Sequence, residues 1–317
     1  MEKRVLGRTG LVVSRLCFGT LTVGPLQSNL SPDAAAALFL DAIDQGINFF
    51  DTAELYRTYP HLHKMLKAVD RDEVVISSRS YAYTYQGMKE SIERALEELG
   101  TDYLDIFMLH EQESGLTLKG HGDALRCLID AREAGIVKAV GVSTHAIEVV
   151  RCATLMPEID VIHPLLNVRG IGIKGGTRAE MEAAIREARA AGKGIYAMKC
   201  LGGGNLIRDY AEAVGYIAGL SFVDAVAVGM QSRDEIRINV RAFGSAPGNI
   251  RNDLLPGLMG HKTVHVEEGC TGCGSCVGAC SYQALSLVDG RPRVDQSRCI
   301  LCGYCAAACP GFHIRVY

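Results

Sequence analysis

The chain lacks any uncharged apolar run long enough to cross a bilayer, which takes about 20 consecutive apolar residues. Its opening residues, Met1-Glu2-Lys3-Arg4-Val5-Leu6-Gly7-Arg8, carry no apolar h-region and no small-residue cleavage site. Export is therefore not expected, and a cytoplasmic location is. An excess of one charge is missing too: 33 Lys and Arg stand against 36 Asp and Glu, a formal net charge of -3. That balance removes the bulk attraction that draws basic proteins to nucleic acid or anionic membrane, and neither is expected as a partner. No segment is of low complexity. No Gly-x-Gly-x-x-Gly follows the first apolar run, which argues against a dinucleotide-binding open sheet.

What is present is a chain of 317 residues, 48% hydrophobic and 22% charged, enough for one large core and a second small domain. Its 12 cysteines are unevenly spread. Cys17, Cys127, Cys152 and Cys200 are scattered as core thiols usually are, whereas eight crowd between Cys270 and Cys309. Without an export signal, metal ligation is the stronger reading of that crowd and a disulfide scaffold the weaker.

Up to about Gly260, short apolar runs alternate with segments of helical period. The runs are 15–19, 48–51, 74–77, 104–109, 139–142, 161–166, 194–198 and 225–228, eight in all. Helical stretches include 32–45, 88–98, 124–133 and 178–190. Ser31-Pro32-Asp33 has the form of a helix start, and Gly46, Gly100, Gly135 and Gly192 stand where helices should stop. Parallel strands need helical crossovers, and eight strand–helix units in this length predict an α/β fold, a closed (β/α)8 barrel. A hairpin over 4–13 is expected to plug its bottom. In such a barrel the C-terminal strand ends converge on the active face, which brings Asp51, Arg79 and His110 together, with Tyr56 close behind Asp51. Taken singly, each has an ordinary structural role; together and in this order they point to chemistry. Cys200 reads as a packed thiol. His61 and His63, two apart on a helix, read as solvated side chains rather than a metal site.

The segments Arg4–Gly10, Phe49-Phe50-Asp51-Thr52-Ala53-Glu54-Leu55-Tyr56, Leu104–His110 and Gly141-Val142-Ser143 resemble the aldo-keto reductases over the whole first domain. That resemblance implies Tyr56 as proton donor to a carbonyl oxygen, His110 as the residue orienting substrate, and Asp51 as partner of a lysine that acidifies the tyrosine. Arg79 stands where the lysine belongs; its planar fork keeps the charge but cannot occupy an ammonium's position. The resemblance also aligns Ser143, Thr144, His163, Met198, Arg233 and Asn239 with the nicotinamide site, so NADP(H) is one expected cofactor. Two glycine-rich stretches, 167–177 and 199–205, fall on the active face. With Lys199, Gly202 and Gly203 they have the composition of a phosphate cradle for a nucleotide or flavin. The pair also looks like the family branch that carries a ferredoxin-like tail.

That tail is written plainly. Cys270-x2-Cys273-x2-Cys276-x3-Cys280 and Cys299-x2-Cys302-x2-Cys305-x3-Cys309-Pro310 have the spacing of two-cluster bacterial ferredoxins. One [4Fe–4S] cluster is expected on Cys270, Cys273, Cys276 and Cys309, the other on Cys299, Cys302, Cys305 and Cys280. A zinc site would ordinarily show paired ligands with longer gaps. The expected division is a barrel over 1–258 and a ferredoxin-like domain over 259–317. The expected activity is that of an iron–sulfur oxidoreductase acting on a small carbonyl or alcohol, exchanging electrons with a soluble partner. Two alternatives are a nicotinamide-dependent reductase with a structural tail, and an electron carrier whose barrel has lost its chemistry.

Overall fold

The computed structural model describes residues 1–250, 262–299, 301 and 303–317. A hairpin opens the chain, β1 (Lys3–Val5) pairing antiparallel with β2 (Val12–Ser14). Eight parallel strands follow: β3 (Leu16–Gly19), β4 (Phe49–Asp51), β5 (Val75–Ser80), β6 (Leu104–Gln112), β7 (Val137–Thr144), β8 (Val161–Pro164), β9 (Gly194–Ala197) and β10 (Ala225–Gly229). They form a closed barrel in which β10 pairs back onto β3. Outside lie α1 (Pro32–Asp44), α2 (Tyr59–Leu66), α3 (Tyr85–Leu99), α4 (Gly115–Gly120), α5 (Gly122–Glu133), α6 (Ile147–Leu155), α7 (Arg178–Ala190), α8 (Tyr210–Ala218) and α9 (Arg233–Phe243). All eight expected strands are present, and Ser31 caps α1 by accepting the Ala34 amide. Gly46, Gly100, Gly135 and Gly192 all take positive φ, as expected of helix stops. No described helix is long and apolar enough to cross a membrane.

The two-residue period of the strands sorts the side chains. Phe18 and Phe50 face outward and meet Phe39 of α1 with ring centroids 5.0 and 5.6 Å apart, part of the large core between barrel and helices. Truncating one such ring to alanine costs about 3–5 kcal/mol. The other parity points inward. Cys17, Phe49, Val75, Met108, Val161 and Tyr196 fill the barrel, sealed below by Leu6 and Val13 of the hairpin. The same parity two residues further on carries Phe49 to Asp51, Met108 to His110 and Val161 to His163. These polar residues therefore form the layer above the apolar plug.

The cysteine-rich segment adds β11 (Val264–Val266), α10 (Ser275–Gly278), β12 (Leu285–Val288), β13 (Arg291–Val294), α11 (Tyr304–Ala307) and β14 (Ile314–Val316). β11 pairs with β14 and β12 with β13, both antiparallel. It shares one apolar cluster with the barrel: Phe312, Ile314, Val316, Leu301 and Ala306 pack with Leu165, Ile171 and Leu206 from the loops above the strands. The small domain thus sits on the face where the strands end. The expected boundary at 258/259 lies outside the described residues.

His61 and His63 depart from expectation. His61 is buried with Nε2 3.0 Å from the Leu30 carbonyl, and His63 places Nδ1 3.0 Å from that of Leu99. Neither is a solvated side chain; each ties α2 to a neighbouring segment.

Candidate active site

At the barrel mouth Arg79 reaches three acceptors. One amino group donates to Oδ1 of Asp51 at 2.5 Å; the other donates to Oδ2 at 3.0 Å and to the Tyr56 hydroxyl at 2.7 Å. Asp51 and Arg79 are both buried, so this forked pair is isolated from water. Burial opposes the charge on Arg79, but Asp51 and Tyr56 hold its pKa above the ordinary range. Burial pushes the Tyr56 phenol up and Arg79 pulls it part of the way back. His110 stacks on Tyr81 at 4.0 Å and meets the edge of Tyr56 at 6.0 Å. Burial, then Arg79, keep it neutral, and its Nδ1 has no partner among the described residues. The four residues expected at one rim are together.

Tyr196, not anticipated from sequence, completes the base of the cluster. Its hydroxyl donates to Oδ1 of Asp51 at 3.0 Å and lies 2.8 Å from Ser77 Oγ. His163 stacks on it at 3.8 Å, with Nδ1 2.6 Å from its carbonyl. Burial lowers the His163 pKa to about 3. Glu111 and His145 were also missed, although His145 follows the end of β7 and the strand-end rule that selects His110 selects it as well.

In the cysteine domain, the two runs repeat one conformation. Gly274 and Gly303 both take φ 77°, each opening a four-residue helix. Ala284 donates its amide to Cys280 Sγ at 3.3 Å, and His313 donates to Cys309 Sγ at the same distance. A small cavity is lined by Cys280, Cys299 and Cys305, three of the four ligands expected for one cluster. Cys276 is raised by burial and then by the neighbouring charges of Cys309 and Cys270, which belong to the other expected set. Cys302 lies outside the described residues. The described cysteines fall into the two expected sets, with amides aimed at sulfur in each run, a donor set of the kind that holds iron–sulfur clusters.

Residues 15–214 match the family model described as the aldo/keto reductase family. The chain belongs to that family. Residues 262–310 match a second model, a 4Fe-4S dicluster domain. L-galactose dehydrogenase of Arabidopsis thaliana is 26% identical over 283 residues, spanning 76% of this chain and 88% of that protein. D-threo-aldose 1-dehydrogenase of a Pseudomonas species is 28% identical over 186 residues, spanning 48% of this chain and 56% of that protein. An aldo-keto reductase structure from Pseudomonas aeruginosa superposes with a TM-score of 0.65 at 25% identity, covering 76% of this chain and 93% of its own. This aldo/keto reductase is an oxidoreductase that carries a dicluster domain.

Its cleft, about 1030 Å³ with the open mouth included, is lined by barrel and tail together: Tyr56, Arg79, Met198 and Lys199 on one side, Arg315 and Tyr317 on the other. The glycine-rich loops make this contact, and Lys199 and Gly203 also line the cleft. A Cβ on Gly172 would strike the Phe312 ring at 2.8 Å, and one on Gly203 the Arg315 side chain at 2.8 Å. The Gly203 carbonyl accepts the Val316 amide at 2.9 Å. Gly202 turns at φ 57° against Leu206.

The residues expected to hold a nicotinamide dinucleotide are largely committed elsewhere. Ser143 Oγ accepts the Glu111 amide at 2.8 Å, and Thr144 Oγ1 donates to the Gln112 carbonyl at 2.6 Å. Arg233 is turned toward Asp41, 3.9 Å away. Asn239 lines the cleft, but its amide is held by Tyr210 and the Glu235 carbonyl. At the start of α9 the buried Glu235 carboxylate accepts the Gln231 amide at 2.7 Å and pairs with Lys262 at 2.7 Å. A carboxylate therefore already takes up an amide at this helix terminus. Of the expected set, His163, Met198 and Asn239 line the cleft, while Ser143, Thr144 and Arg233 are engaged as described.

Proposed function

We propose that this aldo/keto reductase is an iron–sulfur oxidoreductase that interconverts a small carbonyl and its alcohol, with electrons exchanged between the dicluster domain and the barrel cleft. The observation carrying this is the seating of the domain across the mouth. Cys309, a proposed cluster ligand, is followed three residues later by Phe312, whose ring centroid lies 5.2 Å from Lys199 Nζ and 6.3 Å from the His145 ring. A structural staple would have no reason to contribute Arg315 and Tyr317 to the cleft wall.

When bound, the clusters supply electrons one at a time. Converting a carbonyl to an alcohol takes two electrons and two protons, so two one-electron centres match one turnover. A flavin is the cofactor class able to join single-electron and paired-electron chemistry in the cleft. The chain's own residues supply the rest. Tyr56, fixed by Arg79, offers its hydroxyl proton to the substrate oxygen; His110, neutral and stacked on Tyr81, orients that oxygen. Asp51 keeps Arg79 charged. The division at 258/259 then separates a substrate-holding unit from an electron-carrying one, and a soluble redox protein is the partner class that would reload it.

The test mixes anaerobic, chemically reduced protein with a panel of aldehydes and ketones. Recovery of cluster absorbance in step with alcohol formation, lost in Tyr56→Phe, is the expected result. Carbonyl reduction by NADPH at full rate in a variant lacking all eight tail cysteines would overturn it. Extraction of the purified protein shows whether a flavin is held.

A further inference from the structure

Beside the Asp51–Arg79–Tyr56 cluster lies a second row of polar groups that the scheme above leaves idle. Lys199 follows β9 and Glu111 lies at the irregularity where the register of β6 on β7 shifts. Both have positive φ, 59° and 43°, in a region that side-chain-bearing residues avoid. Such strain persists where the surrounding structure enforces it, and it gathers at functional sites. Between the two stands His145. Lys199 Nζ is 2.9 Å from Nε2 of His145, and Nδ1 of His145 is 3.2 Å from Oε1 of Glu111. The Tyr81 hydroxyl fixes the far carboxylate oxygen, donating to Oε2 at 2.8 Å.

The row has direction. Lys199 lines the cleft that holds Tyr56 and Arg79. The His145 side chain is 6% exposed and that of Glu111 34%, so the far end opens to solvent. Burial, then Lys199 and Arg315, keep His145 neutral. Since Nε2 accepts from the ammonium, its proton sits on Nδ1 and is donated to Glu111. Phe312 covers the lysine, so the dicluster domain roofs the row.

We propose that Lys199, His145 and Glu111 form a proton relay into the cleft, with Lys199 reloading the proton that Tyr56 exchanges with the substrate oxygen. It rests on the carbonyl–alcohol assignment above. In alcohol oxidation Tyr56 takes the hydroxyl proton as it hands its own to the free amine of Lys199, so an O–H bond breaks and an N–H bond forms. A proton then passes from Nζ to Nε2 of His145 as the Nδ1 proton moves to Glu111, which releases it to water. The imidazole then flips to reset. The carbon-bound hydrogen leaves as a second proton by the same relay, its two electrons going to the one-electron centres that the tail would hold, and reduction runs the sequence backwards. The reason for a relay lies in Arg79: a guanidinium does not release its proton in the working range, so Tyr56 has no ionisable partner to reload it.

Burial, then Arg315, depress the Lys199 pKa to about 7 against the opposing pull of Glu111 and Glu267. Arg79, His110, His145 and His163 are the other charged or titratable groups acting with it. Holoprotein labelled with ¹³C at lysine Cε should show one resonance titrating near neutrality, absent in Lys199→Met and moved to lower pH in Glu111→Gln. Turnover of a carbonyl probe should fall on the order of 100-fold or more in Lys199→Met, with the neutral limb of the kcat–pH profile lost. His145→Phe should slow kcat with little change in KM. If no lysine titrates below pH 9, or if Lys199→Met keeps the wild-type kcat and profile, the relay is overturned. Absence of any wild-type turnover would instead sink the carbonyl–alcohol assignment, and the resonance titration would still judge the relay.

Discussion

Arg79 and Asp51 each make three side-chain hydrogen bonds at the barrel mouth, and each is the other's buried counter-charge. Asp51→Asn leaves a buried guanidinium facing a neutral amide, and breaking a buried pair from one side costs about 3–5 kcal/mol. Chemical unfolding of the variant should show that loss; a stability within 1 kcal/mol of wild type, roughly the worth of a surface pair, would mean water reaches Arg79. His163 gives a pH-dependent counterpart. Its folded pKa of about 3 lies below the unfolded value of about 6.5, so between those limits the unfolded chain binds more protons. Stability is fully present above pH 6.5 and declines as pH falls toward 3. His163→Gln should flatten that slope by one group's share, read as the difference between wild-type and variant unfolding curves from pH 5 to 7.5. Asp51, Tyr56 and His110 were legible in the sequence because strand-end position fixes direction. Glu111 was not, because a register shift in β6 turns its side chain and no one-dimensional pattern marks such a shift.

At the scale of elements, the barrel strands were legible because each is a short apolar run between helix signals, and pairing adds nothing the run does not already declare. The loops were legible only in part. Glycines beside Lys199 and Arg169 have the composition of a phosphate cradle, yet the backbone they free is approached by β14. Composition reports that something comes close; it does not report what. Gly204 puts this to a test, since φ is 87° and a Cβ would meet the Val316 carbonyl oxygen at 2.2 Å. Gly204→Val should push β14 off the barrel while leaving both cysteine runs untouched. Amide exchange at Val316, whose N–H is donated to Gly203, should accelerate sharply, and carbonyl-driven reoxidation of reduced clusters should slow with cluster content unchanged. Unaltered Val316 protection would show that the contact is not what orders the strand.

For the whole molecule, the question is which part depends on which. The barrel has a continuous core wrapped by nine helices among the described residues, whereas the tail has two two-stranded sheets and two single-turn helices. A segment that small buries too little apolar surface to fold alone, so ligation of iron–sulfur clusters must supply most of its folding free energy. The tail in turn forms part of the cleft wall. Removing iron anaerobically with a chelator and reductant should therefore melt 262–317 while the barrel keeps its far-ultraviolet circular dichroism and its main thermal transition. The cleft would lose Arg315, Val316 and Tyr317 from its wall, exposing Lys199 and returning its pKa toward the ordinary lysine value of about 10.4. Limited proteolysis should cut the tail and spare the barrel. A single cooperative transition in iron-free protein, with Val316 still protected, would mean that packing against Leu165, Ile171 and Leu206 alone holds the tail. The clusters would then be passengers of the fold rather than its cause.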